Sequence, residues 1–179
     1  MSVNKVLVCK NKHCRNNNSE ELLEKLKKCD IEFTHSSCMD FCDHGANIMT
    51  FPNMKMYNKV DASTIEKVLN EDADELLVPN EIMYDKDIID GYSLNPMHKR
   101  TVKLFTYQLV KQEEFTVRSL RDFISFFKVK FDIKGMDFTY PVKIALLKTH
   151  KGPDLPKLIF YLGKERTVKI LEKYIATIK

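Results

Sequence analysis

A chain of 179 residues is long enough for one ordinary domain or for two small ones. Positions 1–77 carry ten Lys or Arg against thirteen Asp or Glu, and the remainder carries nineteen against twelve, so an acidic first part precedes a basic second part. No apolar run approaches the roughly 20 residues that span a bilayer, and Met1-Ser2-Val3-Asn4-Lys5 opens no secretory pattern. Membrane insertion is excluded on this reading and the cytoplasm is the default, although a mature organellar chain would look the same.

Lys5 to Cys9 has the short apolar character of a strand, and the polar stretch Lys10 to Asn18 reads as a loop holding Cys14. Asn18 with Glu21 makes a capping box, and Leu22, Leu23 and Leu26 give one apolar face to a helix from about Ser19 to Lys28. Ile31 to Thr34 is a second strand. Ser36 to Gly45 is too polar for an element interior, Asn47 to Phe51 is a third strand, Pro52-Asn53 a turn and Lys55 to Tyr57 a fourth strand. Ser63 with Glu66 repeats the capping signature before a helix marked by Ile65, Val68 and Leu69. The order β-α-β-β-β-α makes residues 1–76 a small α/β domain, and residues 77–98, broken by Pro79, Gly91 and Pro96, a connector.

Residues 99–179 resume a pattern. Thr101 to Val110 alternates like a strand, with Val102, Leu104, Thr106 and Gln108 on one side and Lys103, Phe105, Tyr107 and Leu109 on the other. Phe115 to Val117 continues as strand, and Leu120, Phe123, Ile124 and Phe127 predict a helix from about Val117 to Phe127. Lys128 to Ile133, Val142 to Leu147 and Lys157 to Tyr161 are strand candidates, and Val168, Leu171, Ile175 and Ile178 mark a final helix. The expectation is a second small mixed α/β domain whose phenylalanines and tyrosines form its core. Its lysines fall among strand-like segments with no arginine-rich arm or RNA-binding aromatic motif, which argues against nucleic acid as a partner.

All five cysteines lie within the first 42 residues. Four residues separate Cys9 from Cys14, three separate Cys38 from Cys42, and twenty-three separate the pairs. On loops beyond strand ends, such pairs can face one centre, and clustering of this kind argues for ligation or redox chemistry. Spacing alone leaves an iron-sulfur cluster, tetrahedral zinc and disulfides open. His13 and His44 adjoin the candidate ligands and read as loop histidines, and Cys29 stands outside both pairs. There is no Gly-rich phosphate loop, nucleophile elbow or HExxH, and Asp40 with Asp43 makes a poor acid pair, so substrate chemistry is not indicated.

With Val6-Leu7-Val8-Cys9 leading to Cys14, Ser19 opening a helix, Cys38-Met39-Asp40-Phe41-Cys42-Asp43-His44-Gly45 and the hairpin Phe51 to Val60, the segment Lys5 to Asn70 resembles the thioredoxin-like [2Fe-2S] ferredoxins. It departs from them in having Gly45-Ala46 for Gly-Pro and Asn18 for the Gly before Ser19. The resemblance implies a thioredoxin-like ferredoxin domain in an α/β chain, a [2Fe-2S] cluster on Cys9, Cys14, Cys38 and Cys42, and work as a non-catalytic electron carrier or redox accessory subunit. The implied partner is a redox protein such as a flavin or NAD-dependent oxidoreductase, and a homo-oligomer is compatible with this. The alternative is a zinc-binding or cluster-stabilised adaptor that docks a protein through its second domain. That domain, with Thr116 to Phe127 between strand candidates, resembles a ubiquitin-like β-grasp domain, which implies docking and no activity of its own.

Overall fold

The computed structural model describes residues 3–16, 19–39, 45–70, 90–92 and 95–177. The chain divides into two compact units, Met1–Asn80 and Glu81–Lys179.

The first unit is built on four strands, β1 (Lys5–Cys9), β2 (Glu32–Ser36), β3 (Ile48–Phe51) and β4 (Met56–Tyr57), in the order β2-β1-β3-β4. β1 runs parallel to β2, with Lys5 opposite Glu32 and Cys9 opposite Ser36, and antiparallel to β3, with Lys5 opposite Phe51. The parallel pair needs a crossover, supplied by α1 (Lys12–Asn16) and α2 (Ser19–Lys27). Leu22 and Leu26 of α2 and Ile65 and Val68 of α3 (Ile65–Leu69) pack with Val6, Val8, Ile48 and Tyr57 into one core. Alternation along β1 sends Val6 and Val8 to that core, and Leu7 between them is also fully buried.

Two local details differ from expectation. Lys12–Asn16 is a helical turn, so Cys14 sits on a helix. The turn before α3 is capped by Asp61 and not by Ser63: its Oδ1 accepts from the backbone N–H groups of Ser63 and Thr64, each at 2.9 Å, and from both hydroxyls. These donors hold the Asp61 carboxyl below the ordinary carboxylate range, the side-chain bonds from Ser63 and Thr64 contributing most.

The second unit corrects the expected mixed α/β domain and its β-grasp likeness, because every described element from Pro96 onward is a helix. These are α4 (Pro96–Val110), α5 (Val117–Lys130), α6 (Gly135–Leu147), α7 (Leu155–Leu162) and α8 (Lys164–Thr177). In α4 the buried positions His98, Thr101, Val102, Phe105, Thr106 and Leu109 recur at intervals of three and four, a helical stripe that the overlapping alternation concealed. Asn95 starts α4 by accepting from the Met97 N–H at 2.9 Å, with Pro96 at the position where a missing N–H costs nothing. Thr116 and Ser119 close a reciprocal capping box on α5, which runs on through the expected strand at Lys128 as far as Lys130.

The run Val142 to Leu147 is apolar because α6 is enclosed, not because it is a strand. Phe138, Pro141, Val142, Lys143, Ile144, Ala145 and Leu146 are all buried. α4 packs on α6 and α8, α5 packs on α7, and α8 also meets α6 and α7. Phe105 lies at the centre, its ring 5.6, 5.5 and 5.2 Å from those of Phe123, Phe127 and Phe138, so the expected aromatic core exists on helical and not mixed scaffolding. Among the described residues, no helix is long and apolar enough to cross a membrane.

Candidate nucleic-acid interface

The sequence placed its candidate site in the first unit. Cys9 ends β1, is 1% exposed, and donates its N–H to the Asn47 carbonyl at 2.9 Å. Cys14 is fully buried, and the Asn47 side-chain amide donates to its sulfur at 3.5 Å. Cys38 is half-buried in the loop after β2, while Cys42, like Phe41 and His44, lies outside the described residues. Met39 is buried, His13 is exposed on α1, and Cys29 donates to the Lys25 carbonyl at 3.5 Å.

Among the described residues, no group of three or more His, Cys, Asp or Glu is placed to hold a metal ion. This corrects the expectation of a [2Fe-2S] cluster and with it the zinc alternative. Asn47 accepts from the Cys9 backbone N–H through its carbonyl and donates to the Cys14 sulfur through its side-chain amide, so one buried residue joins the end of β1 to α1.

The second unit holds the denser polar arrangement. α6 ends with Lys148 in the left-handed conformation, φ 62°, its N–H donating to the Ile144 carbonyl, and this turns the chain into the loop of residues 149–154 before α7. Lys143, buried within α6 at 6% exposure, donates from its ammonium to the Gly152 carbonyl at 2.8 Å and ties that loop to the helix. A buried ammonium is tolerated only when its protons are used, and the charge-assisted bond fixes the loop's position. The Lys151 N–H donates to the Thr149 hydroxyl at 3.2 Å, and Asp154 and Pro156 open α7.

Beside this loop runs a stack of rings. His150 lies 5.0 Å from Tyr140, Tyr140 meets Tyr92 edge-on at 5.4 Å, and Tyr92 stacks on His98 at 4.5 Å. The His98 Nε2 is 3.6 Å from Asp137 Oδ1 in the first turn of α6, and its Nδ1 is buried with no hydrogen-bond partner among the described residues. Burial, then the charge of Asp137 and the neighbouring Tyr140, push the Tyr92 hydroxyl above its ordinary range.

Exposed Lys148, half-buried Lys151 and half-buried Lys157 flank the loop, and the positive end of α7 adds to them, against Asp154 alone in the same segment. The loop thus gathers three lysines along one edge beside the start of α7, an arrangement suited to phosphate oxygens, while the rings pack against one another behind it. None of its residues was singled out in the sequence. The signals were a lone Lys143 inside an apolar run and a Lys-x-x-Lys loop closed by Gly152-Pro153, and reading Val142 to Leu147 as a strand hid both.

The fold and this loop define the second unit as an all-helical domain among its described residues, and comparison with known proteins gives its family. The chain belongs to the family described as the anticodon binding domain, whose model matches residues 63–175. Among curated proteins it is 26% identical over 126 residues to the glutamate–tRNA ligase of Ureaplasma urealyticum serovar 10, a match covering 70% of this chain and 26% of the ligase. Among solved structures, a glutamate tRNA ligase from Elizabethkingia meningosepticum in complex with its amino acid aligns at 21% identity and a TM-score of 0.48, covering 64% of this chain and 22% of that one. A thioredoxin-like [2Fe-2S] ferredoxin from Aquifex aeolicus aligns at 16% identity and a TM-score of 0.35, covering 40% of this chain and 85% of that one. At these scores neither structural likeness bears on what the chain does. The chain spans about a quarter of the length of the first curated relative.

The family match overturns the sequence-based recognition. In place of the thioredoxin-like ferredoxin read from Lys5 to Asn70, the fold class built on it and the β-grasp likeness of the second domain, the family shown is the anticodon binding domain, matched over residues 63–175. The electron-carrier and adaptor roles fall with the cluster, as does the description of the chain as a non-catalytic redox subunit, since its relatives are ligases. The redox partner is withdrawn too, and the argument against nucleic acid fails at its premise. As a helix, α4 places Lys103 and Tyr107 one turn apart on an exposed face, with exposed Lys111 one turn further on at its C-cap.

Proposed function

We propose that this chain recognises the anticodon region of a tRNA, most directly a glutamate tRNA, through its helical second unit. The observation that carries the reading is the family match over residues 63–175, which includes all of the Lys143-anchored loop and its ring stack. The excess of basic residues beyond position 77 supports it, because phosphate contacts supply most of the affinity of such an interface.

In this reading Lys148, Lys151 and Lys157 meet the RNA backbone, and Lys143 acts through the loop it positions. The ligase reaction of the relatives is assigned to the remainder of a ligase system with which this chain works, and the site of action is the cytoplasm, where tRNA is charged. Nuclease footprinting of a glutamate tRNA transcript tests the proposal: protection centred on the anticodon loop is expected, and protection confined to the acceptor end, or none, would overturn it.

A further inference from the structure

α4 presents a second surface that the loop described above does not use. Tyr107 is 59% exposed and Val110 50% exposed, unusual for an aromatic and a branched aliphatic residue on a helix whose other large apolar side chains are mostly buried. Lys103 stands one turn before Tyr107 and Lys111 one turn after, and the Lys111 ammonium lies 4.0 Å from the Tyr107 ring centroid. Together with Val110, Glu172 and Ile175, these residues line a groove of about 380 Å³ between α4 and α8.

The groove has three chemical parts. Its walls are apolar at Val110 and Ile175. Tyr107 offers a π-face, one side of which is capped by a cation. Lys103 and Lys111 stand one turn to either side of Tyr107, Lys111 being the cation over its ring, and Glu172 is the one acid among the described lining residues.

A protein segment seeking an apolar groove would find the lining occupied by a cation–π pair, Tyr107 with Lys111, and by the further ammonium of Lys103. A planar, electron-poor ring carrying a phosphate on either side matches all three parts. It stacks on the uncapped face of Tyr107 between the apolar walls, and its phosphates meet Lys103 and Lys111.

We propose that Tyr107 is a stacking platform for one unpaired base of an RNA strand, with Lys103 and Lys111 holding the flanking phosphates. The inference rests on the tRNA-binding reading and deepens it by naming a second RNA contact on a different helix face. Base stacking on an aromatic side chain is sequence-tolerant, so this contact adds affinity and position without selecting the anticodon.

The test uses the full chain and two probes, a glutamate tRNA transcript and a short oligouridylate, titrated by fluorescence anisotropy. Tyr107→Ala is expected to weaken binding of both on the order of tenfold. Tyr107→Phe, which keeps the ring, should bind within about twofold of the wild type. Lys103→Gln and Lys111→Gln should each flatten the plot of log affinity against log salt by about 0.7. Because Tyr107 is exposed, helical circular dichroism should be unchanged in every variant.

Equal affinity of Tyr107→Ala and wild type for both probes would overturn the platform while leaving anticodon recognition standing. Binding of the oligonucleotide through Tyr107, together with indifference to the tRNA anticodon, would support the platform and overturn the anticodon reading. Wild type that binds neither RNA would overturn both. A change in association state on Tyr107→Ala, with RNA affinity unaltered, would assign the groove to a second copy of this chain and overturn the platform.

Discussion

Lys143 is the residue on which the electropositive loop depends. Its ammonium reaches the Gly152 carbonyl from inside α6, and replacing it with Ala leaves that carbonyl without its partner in a buried setting. Lys143→Ala should cost about 1–3 kcal/mol, read as a lowered midpoint in urea unfolding, and should weaken RNA binding further by releasing the loop. An unchanged midpoint would remove Lys143 from its anchoring role. Asp61 makes a separable prediction in the first unit. Its carboxyl is held below the ordinary range by hydrogen bonds from Ser63 and Thr64, so its stabilisation is present above the unfolded-state pKa and is lost as pH falls through the lower folded value. Asp61→Ala should cost about 1 kcal/mol near neutral pH, while Asp61→Asn should keep much of the cap and remove this part of the acid dependence, as pH-resolved unfolding curves would report.

Among elements, the contrast between the two units shows what period alone can decide. β1, α2, the later strands and α3 were legible because short apolar runs were punctuated by polar and turn residues such as Pro52-Asn53, although the cap of α3 was read at Ser63 and lies at Asp61. In α4 the same rule misled, since Val102, Leu104, Thr106 and Gln108 alternate while His98, Thr101, Phe105 and Leu109 carry the helical stripe; the Asn95-Pro96 start was the available arbiter. The second half of α6 was read as a strand because the helix is buried all round from Pro141 to Leu146 and shows no polar face there; in α7 the buried Leu155, Leu158, Ile159 and Leu162 form a helical stripe, and Asp154 with Pro156 gave a start signal that the short apolar run outweighed. The helical account makes Phe105 the keystone of the second unit, buried among Phe123, Phe127 and Phe138. Phe105→Ala should cost about 3–5 kcal/mol, seen as a large loss of helical circular dichroism on heating at temperatures the wild type withstands. A cost below about 1 kcal/mol would contradict this packing.

At the scale of the whole molecule, the acidic first part and basic second part correspond to two units with separate cores. The proposed site was not legible because the sequence drew attention to the most concentrated chemistry, the four cysteines, whereas the surface proposed here is made of common residues whose meaning depends on the helix that presents them. Lys148, Lys151 and Lys157 are ordinary in a row of letters and become an edge only once α6 and α7 are joined by the loop that Lys143 holds. The measurement that bears most directly on anticodon recognition is an anisotropy titration of the full chain with a glutamate tRNA transcript and with the same transcript bearing a substituted anticodon. A substitution is expected to weaken binding about 5- to 150-fold, corresponding to about 1–3 kcal/mol per misread base, with affinity for both transcripts falling steeply as salt rises. Equal affinity for the two transcripts, or no binding at low salt, would contradict it.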